Sequence, residues 1–194
     1  MRIAAVGDIH LGEDSRGLLR PALEHCAEHA DVMLLAGDLT RHGSLAEASV
    51  VAAEFGGLEV PVVAVLGNHD HHSDVASEMA ELLGESGIVV LEGTSVRLSV
   101  GGGTLGVAGV KGFGGGFAGK CGSRFGERAM KDFIDTTIAS ADSLRGALAG
   151  LEADVVVALT HYAPVPDTLH GEPPEIYPFL GSYLLAEAID SARV

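Results

Sequence analysis

The chain has 194 residues, 47% of them hydrophobic, and its 27 acidic residues outnumber 12 basic ones to give a net charge of −15. This length suits one domain with a single core, so we treat 1–194 as one domain. The negative charge opposes broad docking on a nucleic-acid backbone or an anionic membrane. Two cysteines are too few for a disulfide framework, and no apolar run is long enough to span a membrane. We therefore expect a cytoplasmic protein with no membrane contact.

Three buried strands are predicted near the start of the sequence, and each ends in a glycine followed by polar residues. These glycines are Gly7, Gly37 and Gly67, which are 30 residues apart, about the length of one βαβ unit. Parallel strands bring their carboxyl ends to one edge of the sheet, where ligands bind in α/β proteins. The polar residues expected at that edge are Asp8, His10, Asp38, Asn68, His69 and Asp70.

Helical spacing of apolar residues predicts the crossovers between these strands. The first helix is expected over about 16–29, and the third from residue 73 or 74 to about 84. The second should begin after Ser44, because Ser44 and Glu47 form a capping-box pattern.

The pattern changes after the third helix. Strands are predicted over 88–91, 94–100 and 104–110, and the three glycines at 101–103 indicate a hairpin between the last two. A glycine-dense segment, 112–126, has no periodic element, and a loop of this length is typical of a functional or a disordered segment; a mobile lid is one hypothesis for it.

The remaining elements restore the α/β pattern. A long amphipathic helix is predicted over 130–148, and a buried strand over 154–160 leads directly into His161. A last helix is expected to begin at Pro178.

The polar residues at the sheet edge form an oxygen and nitrogen ligand set for hard or borderline divalent metals. We expect two metals that share Asp38, one held by Asp8 and His10 and the other by Asn68 and His161. Two metals with a shared carboxylate suit in-line displacement at phosphorus by a metal-bridging hydroxide.

His69 follows Asn68 directly, and we predict that it faces the substrate as a catalytic group. It would donate a proton or a hydrogen bond to a phosphate or leaving-group oxygen. Asp70 is predicted to assist by holding the imidazole of His69 in the right tautomer.

Four short motifs carry a resemblance to a known family. Gly7-Asp8-Ile9-His10, Gly37-Asp38, Gly67-Asn68-His69-Asp70 and Thr160-His161 resemble, in this order, the motifs of the calcineurin-like metallophosphoesterase superfamily. The resemblance implies a four-layer α/β/β/α sandwich with mixed sheets, a dinuclear centre of Mn, Fe or Zn type, and hydrolysis of phosphomonoesters or phosphodiesters. It also implies that His69 is the catalytic histidine and that the metal ligands are Asp8, His10, Asp38, Asn68 and His161.

One motif of the superfamily does not occur in this sequence. The family normally closes its site with Gly-His-x-His on a strand beyond the last helix, and the sequence ends near that point. Three explanations are open: the fold is truncated on its C-terminal side, another histidine or a partner chain completes the site, or the site is degenerate.

Other candidate residues have two interpretations each. Lys111, Lys120 and Arg124 could touch a substrate phosphate from the glycine-rich segment, and His42 is equally consistent with a substrate contact or with no role. The run ending in Lys120 resembles a phosphate-binding loop, but Cys121 follows where Ser or Thr is required, so we interpret it as a chance match. His71 and His72 are expected to be solvated.

The sequence thus predicts a metal-dependent phosphoesterase that acts on a small phosphodiester or nucleotide. The alternative is a non-catalytic metal-binding or protein-interaction module with the same fold and a degenerate site. Extended nucleic acid is disfavoured as a partner by the net charge of −15, and a homo-oligomer is expected if a sheet edge is exposed.

Overall fold

The computed structural model describes residues 1–192 and 194 of the chain. Within that part, no helix has an apolar stretch long enough to cross a bilayer. The six helices are Arg20–Leu23 (α1), Leu45–Phe55 (α2), Ala76–Glu85 (α3), Arg128–Leu148 (α4), Tyr177–Leu180 (α5) and Tyr183–Asp190 (α6). The nine strands are Ile3–Val6 (β1), Val32–Ala36 (β2), Val62–Val65 (β3), Ile88–Val90 (β4), Thr94–Val100 (β5), Gly103–Val110 (β6), Gly116–Phe117 (β7), Lys120–Cys121 (β8) and Val155–Thr160 (β9).

The strands form two main sheets and one short hairpin. The first sheet is wholly parallel in the order β1-β2-β3-β4. The three spaced glycine turns predict that β1, β2 and β3 are parallel, whereas β4 was expected among the later meander strands and instead joins this sheet parallel to β3. The second sheet has the order β5-β6-β9, in which β5 and β6 form an antiparallel hairpin and β9 lies parallel to β6. The parallel and hairpin strands therefore belong to separate sheets. The third pairing, β7 with β8, lies in the segment 112–126, for which the sequence predicts no helix or strand.

Three hydrophobic clusters hold these elements together. The largest joins the first sheet to α2 and α3 through residues such as Phe55, Met79 and Leu83. A second contains residues of both main sheets, and a third joins the second sheet to α4 and α6. These clusters hold together a mixed α/β architecture, while the four-layer order itself stays a prediction.

Two predicted helices are broken in the structure. The helix expected over 16–29 is reduced to α1 and one 3₁₀ turn, Cys26–Glu28, because Gly17 adopts a φ of +81° and the buried Glu54 accepts hydrogen bonds from Leu19 N and Arg20 N. The last helix is split at Gly181, whose backbone is extended and pairs with Ala163.

The other predicted helix boundaries agree closely with the structure. The Ser44 side chain caps α2 by accepting a hydrogen bond from Glu47 N at 3.2 Å, which confirms the capping box. The third helix begins at Ala76, slightly later than predicted, and α4 extends the predicted 130–148 by two residues at its start.

Candidate metal centre

The ends of four strands converge on one open cleft of about 750 Å³. Strand β1 leads to Asp8 and His10, β2 to Asp38, β3 to Asn68 and His69, and β9 to His161. All six residues line the cleft, so the structure brings together the residues that the sequence predicted as metal ligands, together with His69.

Three of these residues adopt a backbone conformation that side chains rarely tolerate. The φ angles are +54° for Asp8, +49° for His10 and +50° for Asp38. Left-handed backbone at a non-glycine residue costs roughly 1–3 kcal/mol and tends to occur at functional sites. The surrounding sheet supports it here, because Asp8 N donates to Gly37 O and His10 N donates to Asp38 O, both at 3.0 Å.

The carboxylate of Asp38 lies at the centre of the histidines. Its Oδ2 is 3.7 Å from His10 Nε2 and 3.9 Å from His69 Nε2, and its Oδ1 is 3.4 Å from His161 Nε2. The residue is only 4% exposed, and Oδ1 also accepts a hydrogen bond from His69 N at 2.8 Å. Asp38 is thus fixed in position and has carboxylate oxygens facing two sides of the cleft.

Ligand atoms of the cleft form two groups, in each of which the atoms lie within 4.8 Å of one another. The first group contains His10, Asp38 and His69, and the second contains Asp8, Asp38 and His161. Asp38 belongs to both, as the sequence predicted for a shared ligand. The other ligands are grouped differently from the prediction. Asp8 groups with His161 and not with His10, and His69 lies close enough to His10 and Asp38 to be a ligand itself.

The hydrogen bonds of His161 determine which atoms face each other. Its Nδ1 lies 3.0 Å from Ala36 O, a carbonyl that can only accept, so Nδ1 carries the proton. In the neutral ring Nε2 is then an acceptor, and it faces Asn68 Oδ1 at 3.0 Å and Asp38 Oδ1 at 3.4 Å. With His161 neutral, these three atoms are all potential metal ligands, and such a set is the arrangement that a bound cation stabilises.

The donor set therefore fits a divalent metal. Carboxylate, amide and imidazole donors suit Mn, Fe or Zn better than a soft ion that needs thiolates. The residues that could hold such ions are Asp8, His10, Asp38, Asn68, His69 and His161.

Close backbone contacts require glycine beside the centre. A Cβ added to Gly67 would lie 2.2 Å from Asp38 N and 2.1 Å from Asp38 Oδ1. At Gly37, where φ is +87°, it would lie 2.7 Å from the ring of His161. Two of the three spaced glycines thus allow neighbouring strand ends to approach each other around Asp38.

The family model for calcineurin-like phosphoesterases matches residues 1–185. The chain belongs to this family. A search of curated protein sequences finds no significant match. Among solved structures, the chain resembles a phosphopantetheinyl hydrolase from Mycobacterium tuberculosis with a TM-score of 0.65 and 13% sequence identity, over 93% of this chain and 75% of the other. At that identity the likeness concerns the fold alone.

Asp70 has a different role in this phosphoesterase from the one predicted. Its carboxylate is fully buried and accepts hydrogen bonds from Leu39 N, Thr40 N, Thr40 Oγ1 and Gly67 N at 2.6–3.1 Å. The imidazole of His69 is held by Arg41 O instead, 2.8 Å from Nδ1. The prediction that Asp70 orients His69 is therefore corrected, because Asp70 joins the turns after β2 and β3.

The predicted substrate contacts of Lys120 and Arg124 are not brought to the cleft. Lys120 is in the β7–β8 hairpin, which packs beside α5. Arg124 is paired with Asp135 on α4, at 3.0 Å between Nη2 and Oδ2. Neither residue lines the metal centre, so the structure does not bring the predicted phosphate contacts of Lys120 and Arg124 to it.

The predicted contacts of His42 and Lys111 are also displaced from the cleft. His42 Nδ1 lies 3.1 Å from Glu47 Oε1, and hydrogen bonds from His42 and Ser44 lower the pKa of Glu47 although burial opposes the change. Lys111 Nζ lies over the rings of Phe113 and Tyr162, at 5.1 and 5.3 Å from their centroids. Burial lowers the pKa of Lys111.

Several residues near the centre were missed by reasoning from sequence. Tyr162, Thr168, Leu169 and Glu172 line the far wall of the cleft, and only their position just after His161 signalled a role. Burial and the nearby charge of Asp38 raise the pKa of Tyr162, so its hydroxyl stays protonated near neutrality.

His71 also differs from the prediction that it is solvated. Its Nε2 is buried and has no hydrogen-bond partner within the described residues. Burial, together with the charge of Lys111, lowers its pKa.

Proposed function

We propose that this protein hydrolyses a phosphate ester, a small phosphodiester or a nucleotide, with two divalent metals that share Asp38. The observation that carries the proposal is the convergence of two groups of ligand atoms on the one Asp38 carboxylate. Membership of the calcineurin-like phosphoesterase family supports phosphoester hydrolysis in general.

The residues that would hold the metals are those predicted from the sequence. In the structure Asp8 and His161 group with Asp38, Asn68 Oδ1 lies 3.0 Å from His161 Nε2, and His10 groups with Asp38 on the side of His69. When bound, the metals would supply positive charge for the phosphoryl oxygens and would lower the pKa of a bound water molecule to a value near neutrality. The protein's own contribution is to hold these side chains in place before the substrate arrives.

His69 is proposed as the group that assists the leaving oxygen. Because Nδ1 donates its proton to Arg41 O, Nε2 is the ring atom left to face the cleft. In its protonated form the ring donates from Nε2 to the leaving-group oxygen, which is general acid catalysis. The His69 ring also lies near Asp38. The test must therefore distinguish a general acid from a metal ligand at this position.

The proposal is tested by hydrolysis of bis(4-nitrophenyl) phosphate with and without added Mn²⁺. We expect metal-dependent turnover that Asp38→Ala abolishes together with metal binding, and that Asp14→Ala retains, because Asp14 is an exposed aspartate outside the cleft. His69→Ala should lower kcat by about 10²–10⁴-fold and leave the metal bound. Turnover that survives Asp38→Ala would overturn the mechanism, and loss of metal in His69→Ala would reassign His69 as a ligand.

A non-catalytic binding module with the same fold is the second candidate, because the two groups of ligand atoms could hold metal ions without hydrolysis. Under this alternative the protein binds Mn²⁺ but releases no nitrophenolate from any substrate. The phosphopantetheinyl hydrolase with a similar fold suggests one further ester class to include in the substrate panel.

A further inference from the structure

The cleft has a second wall, which faces the metal centre and has a different chemistry. We propose that this wall selects phosphate esters whose leaving group is apolar and carries no negative charge, with Glu172 as the residue that disfavours anions. This inference rests on the proposed function, since it specifies the substrate class of the same site.

The wall combines an apolar patch with the polar side chains of Tyr162, Thr168 and Glu172. Pro164, Leu169 and Leu180 line it, and each is partly buried, so their apolar surface is available to a ligand in the cleft. Burial of a ligand's apolar atoms against such surface favours binding in proportion to the area covered. Glu172 is the one charged side chain on this wall, and it is exposed.

Positive charge is missing from the cleft lining. Among the described residues that form it, none is a lysine or an arginine. The neighbouring cations are already engaged: Lys111 is over the rings of Phe113 and Tyr162, and Arg41 Nη2 lies 3.2 Å from Asp14 Oδ1. Any metals would neutralise the reacting phosphate, so a second anionic group on the ligand would meet Glu172 without a counter-charge.

Hydrogen bonds within the fold fix the position of this wall. Tyr177 Oη donates to Leu169 O at 2.9 Å, and Glu172 N donates to the same carbonyl at 3.0 Å. At its other end Ala163 N donates to Leu180 O at 3.0 Å. These bonds hold Leu169 and Glu172 in a defined position relative to His161.

A series of three phosphonates tests the wall without the need for turnover. Phenylphosphonate, 4-(aminomethyl)phenylphosphonate and 4-carboxyphenylphosphonate share one phosphonate and one ring and differ in the charge at the far end. Their affinities for the Mn²⁺-loaded protein are measured by titration calorimetry. We expect the neutral and the cationic compound to bind about five-fold more tightly than the anionic one, the range of a partly screened charge pair.

Matched variants separate the wall from the rest of the loop. Glu172→Lys should reverse the order of the aminomethyl and carboxy compounds, whereas Glu175→Lys, which lies outside the cleft on the same loop, should keep the wild-type order. Leu169→Ala should weaken all three by about five-fold, and Val165→Ala, an exposed residue outside the cleft, should not.

The outcomes distinguish this inference from the proposed function. The predicted order of affinities together with no hydrolysis of any ester would contradict the proposed function and leave the wall supported. Hydrolysis together with equal affinities for the three compounds, unchanged by Glu172→Lys, would overturn the inference that this wall disfavours anionic groups. Failure of all three compounds to bind the Mn²⁺-loaded protein would overturn the inference about the wall, whether or not the protein hydrolyses esters.

Discussion

Asp8 combines a left-handed backbone with a side chain that the centre requires. Its φ of +54° costs about 1–2 kcal/mol for a residue with a Cβ, which glycine avoids while losing about 0.5–1 kcal/mol in chain entropy. We therefore expect Asp8→Gly to be more stable than Asp8→Ala by about 0.5–1 kcal/mol. Urea unfolding of the metal-free variants measures this difference, and since both lack the carboxylate, the comparison isolates the backbone. Equal stability would show that the turn imposes no strain.

Glu92 gives the protein a pH-dependent stability. Partial desolvation of its carboxylate by neighbouring residues raises its pKa above the ordinary 4.5, although the side chain reaches the surface and a hydrogen bond from Lys111 N and the charge of Lys111 oppose the change. The folded state then binds a proton more tightly than the unfolded state, so this residue's contribution to stability decreases as the pH rises through that window. Glu92→Gln keeps an acceptor for Lys111 N and removes the titration.

The expected result is a wild-type protein that loses stability relative to Glu92→Gln as the pH rises above 4.5. Urea unfolding of both proteins in a chelator, at several pH values, measures the trend. A difference that is constant with pH, or one that grows in the opposite direction, would contradict the assigned cause.

The sequence predicted the residues of the centre better than their contacts. The positions of Asp8, Asp38 and His161 were predictable because residues that follow parallel strands lie at the same edge of the sheet, at the carboxyl ends of the strands. The bonds of Asp70 were not, since four donors from two neighbouring turns reach its carboxylate only after those turns have packed. The orientation of the His69 ring by Arg41 O could not be predicted from the sequence either, because every residue has a backbone carbonyl.

At the scale of elements, the turn after β3 depends on Gly67. A methyl group there would meet Asp38 N at 2.2 Å, a backbone atom that cannot move aside without shifting the end of β2. We expect Gly67→Ala to lose metal binding and to be destabilised by about 1–3 kcal/mol, the usual cost of overpacking. Gly84→Ala is the matched control, because Gly84 is exposed on α3 with open space around it, and alanine favours the helix.

Calorimetric Mn²⁺ titration and urea unfolding measure the two effects. Wild-type affinity in Gly67→Ala would mean that the close approach of β2 and β3 is not required by the centre.

Elements with local signals were predictable, and elements shaped by distant partners were not. The capping box at Ser44 and the long face of α4 lie within their own segments. In contrast, α1 starts at Arg20 because Glu54, 34 residues away, accepts its backbone N–H. The break at Gly181 likewise follows from pairing with Ala163 on the other side of the wall. Such breaks are decided by tertiary contacts that override helical spacing.

On the scale of the whole molecule, the fold brings two apolar sheets together and leaves their carboxyl ends as a polar rim. With a net charge of −15, the protein attracts divalent cations and repels polyanions, which agrees with metal binding and with small substrates. The expected homo-oligomer stays a prediction. The most exposed apolar residues of the edge strands β1 and β9 are Ile3, Val6 and Val155, each about 40% exposed.

The central claim is that Asp38 is shared by two metals. Elemental analysis of the protein, loaded with Mn²⁺ and then dialysed exhaustively against metal-free buffer, tests it most directly. The account predicts about two Mn per chain for the wild type and for Asp14→Ala, and close to none for Asp38→Ala, because one carboxylate belongs to both groups of ligands. A wild-type protein that retains almost no metal, or an Asp38→Ala variant that retains as much as the wild type, would contradict it.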